Sequence, residues 1–139
     1  MRTIKFRGRS CGFWAHGNLH IRKHDEYGDC AYIIGCTQNP SSTTIVDINT
    51  IGQFTGLRDS IGREIYEGDI IRSFDSKGEP IIHYLLYDNE EAGFVAVLKG
   101  SAKGDFGYGR CCQQWITECE KEVIGNIHDN LELLKRVWK

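Results

Sequence analysis

The sequence predicts a mainly β chain, a small barrel or sandwich with a short C-terminal helix. Three observations carry this. Sixteen glycines punctuate 139 residues. The apolar runs between them are short and tend to alternate with polar residues, the period of a half-buried strand. Apolar residues at helical spacing end the chain, and many short strands with one late helix are the mark of an all-β architecture. The length suits one ordinary domain, or two β subdomains of about 1–56 and 57–139 sharing a core. Folding at this size buries roughly two-thirds of the unfolded surface, enough for a core without staples.

The elements follow in order. Ile4-Lys5-Phe6-Arg7 alternates apolar and basic residues, a strand signal. Gly12-Phe13-Trp14 and Leu19-His20-Ile21 flank His16-Gly17-Asn18, which reads as a hairpin turn. Gly28-Asp29 marks another turn, Ala31 to Gly35 a strand, and Gln38 to Ser42 a loop. Thr43 to Ile48 is β-branched and strand-like, although Asp47-Ile48-Asn49-Thr50 can also cap a single helical turn. Gln53 to Leu57 precedes a polar turn at Arg58-Asp59-Ser60. Ile65-Tyr66 and Ile70 to Phe74 bracket the tight bend Glu67-Gly68-Asp69.

Ile81 to Tyr87 and Phe94 to Leu98 read as strong strands joined by the acidic loop Asp88 to Glu91. Lys99 to Arg110 holds four glycines and reads as a mobile loop. Trp115 to Ile124 reads as the last long strand, and Asn130 as the cap of a helix over Leu131 to Trp138.

Two stretches carry a family resemblance. One runs Val46-Asp47-Ile48-Asn49-Thr50-Ile51-Gly52-Gln53-Phe54-Thr55-Gly56-Leu57-Arg58-Asp59 and continues through Gly62-Arg63-Glu64-Ile65-Tyr66-Glu67-Gly68-Asp69-Ile70. The other is Glu122-Val123-Ile124-Gly125-Asn126-Ile127-His128-Asp129-Asn130, followed by Leu133-Leu134. With Ile4-Lys5-Phe6-Arg7 and the Trp14 and Gly17 pair, these resemble the YopX family of bacteriophage and prophage proteins. The departures are the Lys77–Glu79 and Lys99–Cys112 loops, and Leu131 where the family often has proline. The resemblance implies a β-rich fold and a mobile-element origin, and no activity. Gly56, Gly62, Tyr66, Gly68, Asp69, Gly125 and Asn126 are its structural positions.

Charge is uneven. Residues 1–24 sum to +6 through Arg2, Lys5, Arg7, Arg9, Arg22 and Lys23, and the rest to −8. Such a split marks an anionic partner, or two parts of one fold that neutralise each other. Alternation places Lys5, Arg7 and Arg9 on one strand face, and Glu118, Glu120 and Glu122 on another. The two faces are expected to meet as a charge ladder, within the chain or across a subunit contact.

The remaining sites read most simply as structure. Glu64, Glu67 and Asp69 crowd one bend without a neighbouring histidine, so backbone capping is preferred to acid–base chemistry. His16, His20 and His24 recur every fourth residue but on a glycine-broken segment, and no CxxC pair exists to build a metal site. Cys11, Cys30, Cys36, Cys111, Cys112 and Cys119 are expected to be reduced thiols, with one of Cys111 and Cys112 buried and the other exposed. Gly100 to Gly104 lacks the lysine-hydroxyl ending of a phosphate loop.

No cofactor or metal is expected. No run approaches about 18 consecutive apolar residues, and no secretory signal is present, so a cytoplasmic protein without a membrane span is expected. The expected role is a non-catalytic interaction or accessory module of a phage or prophage. It acts through an unknown protein partner or by self-association as a homo-oligomer. The alternative is a single-stranded nucleic-acid-binding small barrel. Its surface comprises Arg2, Lys5, Arg7, Arg9, Trp14, Arg22 and Lys23, with Phe106, Tyr108 and Arg110 on the glycine-rich loop. The net charge of −2 argues against that alternative.

Overall fold

A computed structural model describes residues 1–24, 26–36 and 39–135, with Cys36, Asn39 and Pro40 described through their backbone alone. It is mainly β and divides into two compact units, Met1–Gly56 and Leu57–Lys139.

The first unit is built from β1 (Phe6–Ser10), β2 (Phe13–Arg22), β3 (Cys30–Cys36) and β4 (Asn39–Arg58), whose last two residues belong to the second unit. Neighbouring strands are antiparallel, and β1 pairs with both β2 and β4, so the sheet curls back on itself. A ring of so few strands has little interior. Accordingly Gly8, Ala15, Gly17 and Ala31 are buried around Ile33 and Val46, with Phe6, Leu19 and Ile51 packed against them. A Cβ on Gly8 would stand 2.5 Å from Val46 Cγ2. One on Gly17 would stand 2.6 Å from the carbonyl oxygen of Ile34.

Gly17 is therefore not the hairpin turn that its neighbours suggested. β2 runs straight through His16-Gly17-Asn18, and the reversal lies at Cys11-Gly12, between the paired Ser10 and Phe13. Both turn residues have positive φ, 35° and 94°, the pattern of a type I′ connection matched to strand twist. Asn39 to Ser42 likewise belongs to β4 and not to a loop, while Thr37 and Gln38 lie outside the described residues. The helical turn at Asp47–Thr50 is instead a bulge: Arg7 faces Gly52 and Arg9 faces Asp47, so the four residues 48–51 of β4 stand against the single Gly8 of β1. Asp47 still accepts from the Asn49 N–H (3.0 Å), and Thr50 Oγ1 accepts from the Arg9 N–H (2.9 Å). The capping chemistry was real; its context was a strand.

The second unit contains β5 (Glu64–Tyr66), β6 (Asp69–Phe74), β7 (Pro80–Asp88), β8 (Gly93–Leu98), β9 (Tyr108–Arg110), α1 (Gln113–Thr117) and β10 (Glu122–Asn126). Five of these strands form an antiparallel sheet in the order β10-β6-β7-β8-β9. One face packs Ile71, Leu85 and Ala96 with Ile65 and with Ile116 of α1, and Leu57, Cys111, Trp115 and Val123 complete the cluster. The tight bend lies where the sequence put it. Gly68 has φ +91°, donates to the Leu85 carbonyl (2.8 Å) and accepts from the Ile127 N–H (2.9 Å). Buried Asp69 accepts from the Tyr66 N–H at 2.7 Å.

Three expectations fail here. Trp115 to Ile124 is not one strand, because α1 holds Trp115 and Ile116 and the Thr117 hydroxyl bonds back to the Gln113 carbonyl (3.1 Å). Glu118 is extended and ends the helix, and Cys119 and Glu120 then take left-handed φ of 60° and 45°. Glu118 and Glu120 thus lie outside any strand, and the expected glutamate face of the charge ladder does not form. Glu122 is 3.6 Å from Arg72 on the neighbouring strand. The terminal helix is a single 3-10 turn, Leu131–Leu134, after which Lys135 is extended. Residues 136–139, including Trp138, lie outside the described residues. Finally, Tyr108–Arg110 is a strand paired to β8, so the glycine-rich segment is anchored at that end.

The close approach at Gly17 gives a test. Gly17→Ala is expected to destabilise the chain by about 1–3 kcal/mol, because the opposing atom is a ladder carbonyl that cannot retreat. Chemical denaturation measures it, and an unchanged midpoint contradicts the closed, small-residue interior.

Candidate functional site

The cations singled out in the sequence fall into two groups. Arg2 is exposed ahead of β1, and Arg22 and Lys23 are exposed at the end of β2. Lys5, Arg7, Arg9 and Trp14 come together. Arg9 is the cross-strand partner of Trp14, and the guanidiniums of Arg7 and Arg9 lie 4.7 and 5.9 Å from its ring centroid. The Lys5 ammonium lies 5.2 Å from the Phe54 centroid. Each contact contributes about 0.5–1 kcal/mol when exposed. Both rings thus already carry the protein's own cations, which compete with a nucleobase for the ring faces they cover.

Phe106, Tyr108 and Arg110 part company. Tyr108 is committed to Asp88, the last residue of β7. The Asp88 carboxylate accepts from the Tyr108 hydroxyl, from Lys103 Nζ (3.2 Å), and from the N–H groups of Glu90 (2.9 Å) and Glu91 (3.2 Å). These donors, the Tyr108 hydroxyl foremost, hold its carboxyl down at about 2. Lys103 also reaches Glu90 at 2.6 Å, and its ammonium is held above its ordinary value by that bond first and by Asp88 second. The supposedly mobile loop is therefore strapped to the β7–β8 turn at two residues.

Phe106 and Arg110 instead line a cavity of about 270 Å³ with Ile81, His83, Leu98 and Trp115. Its floor is the pair Ala96 and Gly109, directly opposite each other on β8 and β9. Two small residues across one ladder leave the space that a larger pair would fill. His83 stands edge-on to Trp115, centroids 4.9 Å apart at 87°. Its buried Nδ1 has no hydrogen-bond partner. Burial, and secondarily the Lys121 charge, lower its pKa to about 4, so the imidazole is neutral near pH 7. Lys121 sits 4.5 Å from the Trp115 centroid and donates to the Glu118 carbonyl at 2.7 Å.

The other candidates are engaged structurally. Glu64 lies 3.6 Å from Arg58 and 3.4 Å from the Tyr66 hydroxyl. Gly56 and Gly62 adopt positive φ. A Cβ on Gly125 would collide with Asn130, while Asn126 accepts from the His128 (3.0 Å) and Asp129 (2.9 Å) N–H groups. Cys11, Cys30, Cys111, Cys112 and Cys119 are free thiols. Cys111 is half-buried and pushed up to about 12 by burial, a protonated packing residue and a poor nucleophile, and Cys112 is exposed. Among the described residues no three His, Cys, Asp or Glu side chains come together in a metal-holding group.

Sequence reasoning missed His83, Trp115 and Asp88. His83 and Asp88 are far from Phe106 and Arg110 in the chain and are brought near by the β7–β8–β9 pairing. Trp115 is close in sequence but is turned over the sheet by α1, which alternation had read as strand.

The YopX family model matches residues 5–135. The chain belongs to the YopX family. A crystal structure of protein EF1440 from Enterococcus faecalis is similar over 97% of this chain and 100% of that one, with a TM-score of 0.59 and 24% identity. That likeness speaks for the fold alone. No curated protein matches. Among the described residues, no helix of this YopX-family chain is long and apolar enough to cross a membrane.

The depressed pKa of His83 gives a pH prediction. The unfolded chain takes up a proton at this histidine near 6.5, the folded chain only near 4. Stability is therefore complete above the unfolded value and declines as pH falls from 6.5 towards 4. His83→Gln should flatten that part of the stability–pH curve. Wild-type and variant curves of equal slope in this window contradict the assignment.

Proposed function

We propose that this YopX-family chain is a non-catalytic interaction module of a phage or prophage. It works in the cytoplasm and assembles with a second copy of itself through the outer sheet face of the first unit. One observation carries this reading. Two cross-strand rows, Asn18–Ile34–Thr43 and His20–Tyr32–Ile45, lie side by side on the face turned away from Ala15, Ala31, Ile33 and Val46. Ile34 is 38% exposed and Ile45 59%, and the His20 and Tyr32 rings are 6.4 Å apart. No acidic or strongly basic side chain occurs among the six, and Arg22 and Asp47 follow at the next row.

An apolar centre with a charged rim is the usual anatomy of an interface. An uncharged patch can also meet its own copy about a two-fold axis without like-charge repulsion, since such a contact repeats the same surface on both sides.

Ile45→Glu tests the reading, because it places a carboxylate opposite its own copy at an exposed position. Analytical ultracentrifugation should find a wild-type dimer or larger assembly and a variant shifted towards monomer, with similar thermal midpoints at low concentration. A wild-type chain that stays monomeric at high concentration, or a variant that assembles equally well, sinks it.

A second reading, a single-stranded nucleic-acid binder, is favoured by Phe106 and Arg110 sharing the cavity over β8 and β9. It joins an aromatic ring to a cation without the occupied ring of Trp14.

A further inference from the structure

We propose that the cavity floored by Ala96 and Gly109 binds a flat heteroaromatic ring bearing an anionic group. This is the chemistry of a nucleotide, met as a free monophosphate or as a base and phosphate of a single strand. The inference deepens the second reading above and rests on it only for the second of these sources.

The first argument is why the space exists. Most close-packed glycines in this chain are demanded by their surroundings. A Cβ on Gly8, Gly17 or Gly107 would fall within 3.0 Å of neighbouring atoms. Gly109 is different: a Cβ there meets nothing within 4 Å, and its φ is not in the left-handed region. Glycine in a strand interior weakens the strand relative to alanine. No turn or collision in the structure requires it at this position. What it provides is volume, on the face it shares with its partner Ala96.

The second argument is the lining. About 270 Å³ lies just below the common range of small-ligand clefts, roughly 300–1,000 Å³, and suits one ring system better than an extended ligand. The walls are apolar or aromatic: Ile81, Leu98, Phe106, Trp115 and the neutral His83. Arg110 is the charged residue on the lining. It alternates to the other side of β9 from Gly109, but β9 is the edge strand, and a long guanidinium side chain can reach round it to the rim. No carboxylate lines the space to oppose an anion. A guanidinium is suited to phosphate, which it can grip with two parallel hydrogen bonds. Rings plus one cation describe a site for a ring plus one anion.

The third argument is preorganisation. Phe106 is fully exposed, so its ring is free to meet a ligand. It is not on a slack tether. Lys103 and Tyr108, on either side, are both fastened to Asp88, and between them the Asp105 N–H donates to the Ala102 carbonyl (3.0 Å) and the Tyr108 N–H to the Asp105 carbonyl (3.1 Å). The segment therefore holds the Phe106 backbone at the rim and leaves only the side-chain rotamer to order on binding.

The test uses the whole chain and three probes: adenosine 5′-monophosphate, a six-nucleotide single-stranded oligodeoxyadenylate, and ribose 5-phosphate as the ringless control. Binding is followed by the NMR shifts of the Trp115 indole and by calorimetry. The wild-type chain should bind the monophosphate and not the ringless control. Gly109→Leu should abolish binding by filling the cavity, with no loss of thermal stability. Phe106→Ala, a change at an exposed loop position that keeps the test decisive if Gly109→Leu misfolds, should weaken binding by about 5- to 150-fold, the range for losing one stacked ring.

Binding of both ring-bearing probes, lost in Gly109→Leu, supports the site and the second reading together. Binding of the monophosphate alone supports the site and removes the nucleic-acid reading. No binding of either ring-bearing probe, equal binding of ribose 5-phosphate, or binding undiminished in both Gly109→Leu and Phe106→Ala overturns the proposal.

Discussion

One carboxylate organises the part of this protein with the most chemical potential. Asp88 ends β7 almost out of contact with solvent, 7% exposed, yet ionised. A buried charge is tolerable only when its lone pairs are taken up. Here the Tyr108 hydroxyl, Lys103 and two turn N–H groups take them up. Because two of those donors belong to the glycine-rich segment, satisfying Asp88 also fixes where that segment lies. The backbone position of Phe106, and so one side of the cavity, follows from this bond set, while the pairing of β9 to β8 places Arg110.

The same economy recurs elsewhere in the second unit. Asp59, also buried, accepts from the Arg63 N–H (2.8 Å) with one oxygen and from the Val123 N–H (3.0 Å) with the other, tying a surface turn to β10. Asp69 serves the Tyr66 N–H, and Asn126 serves the turn after β10. Short turns leave backbone donors that must be paired, and inward-facing acidic and amide side chains pair them. The acidic bend over residues 64–69, which in another setting could hold a cation, belongs to this pattern. The first unit solves a different problem, closing a ring too narrow for ordinary side chains, and does so with Gly8, Ala15, Gly17 and Ala31.

Much of the strand plan was legible in the sequence. Apolar alternation marked β7 and β8, and the bend at Gly68 was visible because a glycine lay between two apolar pairs. The failures have specific causes. Gly17 was read as a turn because a glycine that reverses the chain and one that admits a neighbouring strand look alike in sequence. The run Glu118–Glu122 alternates as a strand should, but Cys119 and Glu120 take left-handed backbone without glycine to announce it. Of the site, Phe106 and Arg110 were visible as an aromatic and a cation in a glycine-rich segment. Their setting was not, since Asp88 and Tyr108 are twenty residues apart in the chain. Nor could alternation show that Trp14 was already engaged by Arg7 and Arg9, because that contact is made across strands.

The central claim is that Asp88 holds the glycine-rich segment over the cavity. Amide hydrogen exchange across residues 98–110 tests it most directly, comparing the wild-type chain with Asp88→Ala. The account predicts slowed exchange in the wild type at Leu98, Ser101, Asp105 and Tyr108, whose N–H groups are bonded within the segment. In the variant, Ser101, Asp105 and Tyr108 should exchange much faster while the amides of β6 and β7 keep their protection. Wild-type amides in this segment exchanging at the rate of an unstructured chain, or a variant indistinguishable from wild type, would contradict it.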